Sequence, residues 1–216
     1  IGSGGSCANT ATATTNPYTL TGLTPGTQYQ IYIQTSCATA LGQWVGPFTF
    51  TTPCLSAMSG AYTIDSNLAT SATNFKTIAA AVQALQTCGV SGPVTLTLAG
   101  YVHPVGLALA QIPGASATNL VTFQGASGGT AEIKGAGGQA AAVTLMGTKY
   151  VKVQNLRING PTMSGVLLTD NAQYITIHNN TILADTTGTS SLVCAIVTTG
   201  SLTSTTTYGN NANNIT

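Results

Sequence analysis

The stretch YVKVQNLRI at residues 150–158 returns in altered form as YITIHNNTI at residues 174–182. The two copies are offset by 24 positions. When they are aligned, valines match isoleucines, tyrosine matches tyrosine, and Asn155 coincides with Asn179. Apolar and polar residues alternate in both copies, which is typical of a β-strand with one buried face. The chain therefore contains the same short strand pattern at least twice.

The pattern also occurs before and after these two copies. Val121 precedes Val151 by 30 positions, and Ile215 follows Ile175 by 40 positions. Related strands are thus predicted at 120–124, 150–154, 174–178 and 214–216. Secondary strands are predicted between them, near 131–134, 143–146, 166–169 and 192–198.

A strand pattern that repeats every 24 to 40 residues indicates a stacked array of chain turns. One turn cannot bury its apolar face alone, whereas turns stacked in parallel register share a continuous core. The prediction is one column of Val121, Val151, Ile175 and Ile215 and a second of Phe123, Val153 and Ile177. Asn155 over Asn179 is predicted to form an asparagine ladder whose amides satisfy the turn backbone.

A helix is predicted over 74–88, before the first turn. Phe75, Ile78, Val82 and Leu85 follow helical spacing, with Asn74 as the expected N-cap and a glycine just past the end. A helix in this place would cap the open end of the stacked core.

Residues 17–52 instead show short alternating runs with a Thr-Pro-Gly turn, which predicts half-buried antiparallel sheet. The segment LTPGTQY at 23–29 resembles the corner between strands E and F of fibronectin type III domains, which ends in a tyrosine. The resemblance implies strands E, F and G at 18–23, 28–36 and 47–52, with Tyr29 and Trp44 in the core. Tyr29, Tyr32 and Trp44 as a sugar-stacking platform is the weaker alternative.

The segments TNFKTIAAAVQAL, GVSGPVTLTLAGYVHPV and IPGASATNLVTFQGA resemble the start of right-handed parallel β-helix domains of the pectate-lyase-like class. The resemblance is to large surface proteins of Bacteroidota that are exported by the type IX system. It implies an all-β chain: a partial fibronectin type III domain at 1–53, a linker at 54–63, and a β-helix at 64–216 that is truncated at its C-terminus.

The composition points to an extracellular, β-rich protein. Charged residues make up 4% of the chain, against roughly 25% in an ordinary domain. The net charge of +1 leaves no basic footprint for nucleic acid, and no apolar run is long enough to span a membrane. The five cysteines, Cys7, Cys37, Cys54, Cys88 and Cys194, are predicted to be a mixture of disulfides and buried thiols. Because their number is odd, one thiol is either free or paired with a cysteine outside this chain.

No catalytic constellation is predicted, and neither a cofactor nor a metal is expected. The four acidic residues, Asp65, Glu132, Asp170 and Asp185, are well separated in sequence. His178 is expected to point outward, and His103 to lie in a loop without a partner. Lys134, Lys152 and Arg157 are either a small basic stripe for an anionic sugar or ordinary solvated surface. The triplet Asp185-Thr186-Thr187 resembles the O-glycosylation acceptor of Bacteroidota, which makes Thr186 the modified residue.

These observations predict a secreted cell-surface adhesin or a structural piece of an extracellular fibre, with no catalysis in this segment. The alternative is a carbohydrate-binding or polysaccharide-degrading β-helix protein whose active site lies elsewhere in a longer chain. The expected partners are other copies, further domains of the same chain, or a surface polysaccharide.

Overall fold

The computed structural model describes residues 12–21, 23, 28–37, 40–54, 56–128, 130–160, 164–184, 195–198 and 213–215. The chain divides into two compact units, Ile1–Thr52 and Pro53–Thr216, which are described one at a time below.

The first unit contains two small antiparallel pairs in its described residues. Strand β1 (Gln28–Ile33) pairs with β4 (Val45–Thr51), and β2 (Ser36–Cys37) pairs with β3 (Ala40–Leu41). The Tyr29 ring stacks on Phe50 across the first pair, with ring centroids 5.9 Å apart.

The predictions for this unit are met in part. Strands occupy the positions expected for F and G, whereas residues 18–21 and 23, where strand E was expected, form no strand. Trp44 was expected in the core, but it is 58% exposed. In the part of the unit that the structure describes, a two-stranded sheet has no second layer that could bury this ring.

The second unit is a β-solenoid of about three turns with one short helix. Its elements are β5 (Met58–Ile64), β6 (Asn74–Phe75), α1 (Ile78–Cys88), β7 (Val90–Leu98), β8 (Val102–His103), β9 (Leu107–Leu109), β10 (Val121–Gly125), β11 (Glu132–Lys134), β12 (Ala141–Met146), β13 (Lys149–Gln154), β14 (Arg157–Gly160), β15 (Ser164–Thr169), β16 (Gln173–His178), β17 (Thr181–Ala184), β18 (Ile196–Thr198) and β19 (Asn213–Ile215).

Successive strands along the chain enter three different parallel sheets in turn. The first sheet has the order β19-β16-β13-β10-β7-β5-β6, the second β17-β14-β11-β8 and the third β18-β15-β12-β9. Each strand therefore pairs with its equivalent one turn earlier and one turn later, which is the arrangement of a parallel β-helix.

The predicted side-chain columns are confirmed by the strand register. Val151 pairs with Val121 on one side and Ile175 on the other, and Ile175 pairs with Ile215. Val153 likewise lies between Phe123 and Ile177. Val121, Phe123, Val151, Val153 and Ile175 are all at most 1% exposed, so these columns form the core of the solenoid.

The repeated nine-residue stretch is not one strand but two, separated by a two-residue turn. Asn155 and Asn179 occupy the first turn position with φ of 55° and 50°, a left-handed conformation that asparagine tolerates better than most residues. The predicted ladder is present, because Asn179 Nδ2 donates to Asn155 Oδ1 at 2.7 Å.

The backbone of the turn, however, is satisfied by the next residue. Asn180 Oδ1 accepts from the Leu156 backbone N–H at 3.0 Å, and Asn180 Nδ2 donates to the Val153 carbonyl at 2.8 Å. The prediction that the ladder asparagines themselves satisfy the backbone is therefore wrong; Asn180 joins the two turns instead.

The helix begins later than predicted. Thr77 is its N-cap, with Oγ1 accepting from the Ala80 N–H at 3.1 Å, and Gly89 ends it at φ 65°. Asn74 lies in β6 and is buried; its amide donates to the Asp65 and Ala69 carbonyls and so closes the 65–74 loop.

Within the described residues, no helix is long and apolar enough to cross a membrane.

The segment predicted as a linker at 54–63 is largely a strand of the solenoid. Strand β5 pairs in parallel with both β6 and β7, and its Met58 and Ile64 side chains are buried in the core.

A disulfide joins Cys54, just before this strand, to Cys88 at the end of α1. A cross-link over a sequence separation of 34 restricts the unfolded chain and contributes about 3–4 kcal/mol of stability in the loop-entropy account.

If the stacked columns carry the stability, the same substitution must have very different effects inside and outside them. We expect Val151→Ala to lower the free energy of unfolding by about 2–3 kcal/mol, because it removes fully buried methyl groups and leaves a cavity. Val102→Ala, at a 48% exposed strand position, is the matched control and should cost about 0.5 kcal/mol. Urea unfolding followed by circular dichroism measures both, and equal losses would contradict the prediction.

Two variants of Asn179 distinguish the contribution of its left-handed backbone conformation to stability from that of its side-chain hydrogen bond. Asn179→Gly removes the bond to Asn155 but accepts the φ of 50°, whereas Asn179→Ala removes the bond and adds backbone strain. We expect the alanine variant to be less stable than the glycine variant by about 1 kcal/mol. The opposite order in thermal or urea unfolding would show that the turn does not require this conformation.

Candidate binding surface

The outer side of the first sheet carries a regular array of hydrogen-bonding side chains. Because strand residues alternate between faces, the residues between the buried ones point outward. They form two columns in register across successive turns, which together we name the ladder face: Thr95, Thr122, Lys152 and Thr176 in one, and Thr97, Gln124, Gln154 and His178 in the other.

Part of the ladder face is held in place by its own hydrogen bonds. Gln154 Nε2 donates to Gln124 Oε1 at 2.9 Å, and Gln124 Nε2 donates to Thr97 Oγ1 at 3.2 Å. Each amide group has two N–H donors and a carbonyl with two lone pairs, so these bonds leave further donors and acceptors for a ligand. The column therefore presents oriented polar groups at the spacing of the strands, about 4.8 Å.

A pair of tyrosines marks the start of the same strands. Tyr150 and Tyr174 stack with ring centroids 4.6 Å apart and planes inclined by 1°, at φ of 59° and 54°. A left-handed tyrosine is strained by about 1–2 kcal/mol, and stacking of the two rings offsets part of that cost. The stacked rings cover each other's faces, so we regard the pair chiefly as a connection between turns.

The three basic residues predicted as one stripe are divided between two sheets. Lys152 lies on β13 in the first sheet, because the turn at Asn155 ends that strand. Arg157 and Lys134 lie on β14 and β11 in the second sheet. Whether any of them binds a ligand stays a prediction.

Arg157 already has an acidic partner. Its Nε lies 2.8 Å from Glu132 Oε2, and Asn159 Nδ2 donates to Glu132 Oε1 at 3.0 Å. Glu132 is mostly buried beneath these groups, with 13% of its side chain exposed against 49% for Arg157. Sequence reasoning missed this network because the 25 positions between Glu132 and Arg157 hide their direct cross-strand pairing.

A second polar cluster lies at the start of the solenoid. His103 is buried in β8, stacks on Tyr101 with centroids 4.6 Å apart, and has its Nε2 3.2 Å from the Ala99 carbonyl oxygen. The Tyr101 hydroxyl accepts from the Ser66 backbone N–H at 2.6 Å and donates to Asp65 Oδ1 at 3.3 Å. The prediction of a loop histidine without a partner is therefore wrong.

The surroundings of His103 lower the pKa of its imidazole below the ordinary value. Burial is the largest cause, because it disfavours the charged ring. The hydrogen bond to Ala99 and the charge of Asp65 act in the opposite direction and are weaker. The cluster thus favours a neutral histidine that packs the Tyr101 ring against the core.

The other candidate positions add no recognised chemistry. A groove of about 300 Å³ lies between α1 and the β8–β9 connection, but the Gln139 Oε1 beside it already accepts from Ala136 and Gly106.

His178 is exposed, as predicted. The predicted glycosylation residue Thr186 lies outside the described residues. Among the residues described, no group of three or more His, Cys, Asp or Glu side chains is placed to hold a metal.

The fold and this surface define the chain as carrying a parallel β-solenoid with an ordered polar face. Comparison with protein-family models, with curated proteins and with solved structures gave no match.

The lowered pKa of His103 predicts a pH-dependent stability. The unfolded histidine takes up a proton as the pH falls through about 6.5, whereas the folded one does so only at lower pH, so the free energy of unfolding must fall from about pH 7.5 to about pH 5. His103→Phe keeps an aromatic ring on Tyr101 without titrating and should reduce this dependence. His178→Gln, at the exposed histidine, should leave it in place; the reverse result would contradict the assignment.

Proposed function

We propose that the chain belongs to a secreted cell-surface protein that acts as an adhesin or as a structural part of an extracellular fibre. The observation that carries this proposal is the ladder face, on which Gln154, Gln124 and Thr97 are joined by hydrogen bonds across successive turns. Repeated turns that present the same groups at a fixed spacing provide an extended surface for another large molecule. Catalysis in this segment is not part of the proposal.

An extracellular location is supported by the Cys54–Cys88 disulfide and by the composition. Disulfides persist in oxidising compartments and are rare in the cytosol. A chain with 4% charged residues relies on threonine, serine, asparagine and glutamine to solvate its surface. The resemblance to Bacteroidota surface proteins exported by the type IX system, with a partial fibronectin type III domain before a right-handed β-helix, points in the same direction.

We further propose that α1 caps the solenoid core. The helix packs beside β9 and β5, and its Ile78, Ala81, Val82 and Leu85 side chains join the buried cluster of the turns. The disulfide between Cys88 and Cys54 joins the end of this helix to the chain just before β5. A cap of this kind would protect the apolar end of the column from water and from pairing with other chains.

The second candidate function is a carbohydrate-binding or polysaccharide-degrading protein. The amide and hydroxyl groups of the ladder face favour it, because such groups orient sugar hydroxyls. It differs from the first candidate in one measurable respect, since a degrading enzyme releases new chain ends from its polymer.

The purified protein should therefore be tested for adhesion, self-assembly and hydrolysis together. We expect it to co-sediment with insoluble polysaccharide or to form high-mass species in light scattering, without releasing reducing ends. Gln124→Ala/Gln154→Ala should weaken co-sedimentation, whereas Gln111→Ala, at an exposed glutamine outside the ladder face, should not. Release of reducing ends, or a folded monomer that neither adheres nor assembles, would refute the proposal.

A further inference from the structure

Lys152 occupies the middle of the ladder face. Its neighbours on the adjoining turns are Thr122 on β10 and Thr176 on β16, each directly opposite in the parallel register. Gln154 is two residues further along the same strand and so points to the same side. The Lys152 side chain therefore leaves the sheet on the same face as hydroxyl and amide groups that can donate hydrogen bonds to the same ligand.

The charge of this surface has one sign. Lys152 is the only one of the eight ladder-face residues with a permanent charge, and none of the eight is acidic. Arg157 differs, because Glu132 neutralises it at 2.8 Å. Across the described part of the chain, Lys152 has no carboxylate within ion-pair distance. Its positive charge remains available to an anion from solution.

The neighbouring column is already oriented for a ligand with many hydroxyl groups. Gln154 has donated one N–H to Gln124, and Gln124 has donated one to Thr97, so their amide planes are held in a common orientation. Preorganised groups lose less conformational entropy on binding than free ones. A polymer running along the solenoid axis would meet the Gln124 and Gln154 amides on two successive turns, with Lys152 in the neighbouring column.

We propose that the ladder face binds an acidic polysaccharide, with a carboxylate or sulfate group at Lys152 and sugar hydroxyls along Gln124 and Gln154. The proposal rests on the adhesive function and specifies its ligand. Thr122 and Thr176 complete the anion contact from the turns on either side. Self-association of the chain requires none of these contacts, so the two ideas can fail separately.

The strength of one such site is limited. A single partly exposed ion pair changes a dissociation constant by up to about fivefold. Binding must therefore accumulate over several contacts along the polymer or over several copies of the protein. It must also weaken as salt screens the charge at Lys152.

The test uses two cellulose derivatives that differ in charge, carboxymethyl cellulose and hydroxyethyl cellulose, immobilised for a binding measurement by interferometry. We expect tighter binding to the carboxymethyl polymer, with the difference disappearing at high salt. Lys152→Gln should weaken that binding by about threefold to fivefold, and Lys152→Arg should retain it. Lys76→Gln removes the same charge at an exposed position outside the ladder face and should change nothing.

Circular dichroism spectra and unfolding midpoints of the three variants establish that each is folded. Equal binding to both polymers, or equal effects of Lys152→Gln and Lys76→Gln, would overturn the anionic ligand while leaving adhesion intact. Adhesion to the neutral polymer alone would do the same. The adhesive function itself fails only if the folded protein neither adheres nor assembles, or if reducing ends are released.

Discussion

Hydrogen bonds between the backbones of successive turns determine the position of every other group in the solenoid. In a parallel ladder each residue lies beside its equivalent, so any property of one turn is repeated about 4.8 Å further along the axis. Val121, Val151 and Ile175 form a dry column for this reason. The same pairing brings Gln124 to Gln154 on the outside and Asn155 to Asn179 in the turn. A core, a turn connection and a polar face thus follow from one register.

The chain departs from its repeating pattern at the start of the solenoid and on the outer surface. At the start of the solenoid, the Cys54–Cys88 disulfide joins the end of α1 to the chain before β5, and Asn74 closes the 65–74 loop. On the outside, charges are few, and one of them, Arg157, is paired with Glu132. Lys152, on the ladder face, has no carboxylate within ion-pair distance in the part of the chain that the structure describes. Lys152 is the proposed anion contact because it lies on the ladder face between Thr122 and Thr176, whereas Arg157 is already paired with an acid.

The strand columns were predictable from the sequence because an offset of 24 or 30 positions preserves the residue type at each step. The helix boundary was less predictable, since Asn74 and Thr77 are both good N-caps and only the pairing of β6 excludes the first. The sequence predicts a linker where strand β5 lies, because Ser59 and Gly60 interrupt the alternation of apolar and polar residues. The Glu132–Arg157 pair and the sheet to which Lys152 belongs depend on which residues form the two-residue turn. Composition carried no information on that point, because the turn is set by the conformation of Asn155.

Engineered cross-linking between neighbouring turns measures the register on which the solenoid depends. In a chain with Cys7, Cys37 and Cys194 replaced by serine, we would introduce Gln124→Cys with either Gln154→Cys or Lys152→Cys. Residues 124 and 154 are direct partners, whereas 124 and 152 are offset by two positions and about 8 Å apart, beyond the reach of an unstrained disulfide. We expect rapid disulfide formation on mild oxidation for the first pair and little for the second. Equal rates, or faster formation by the offset pair, would contradict the stacked register.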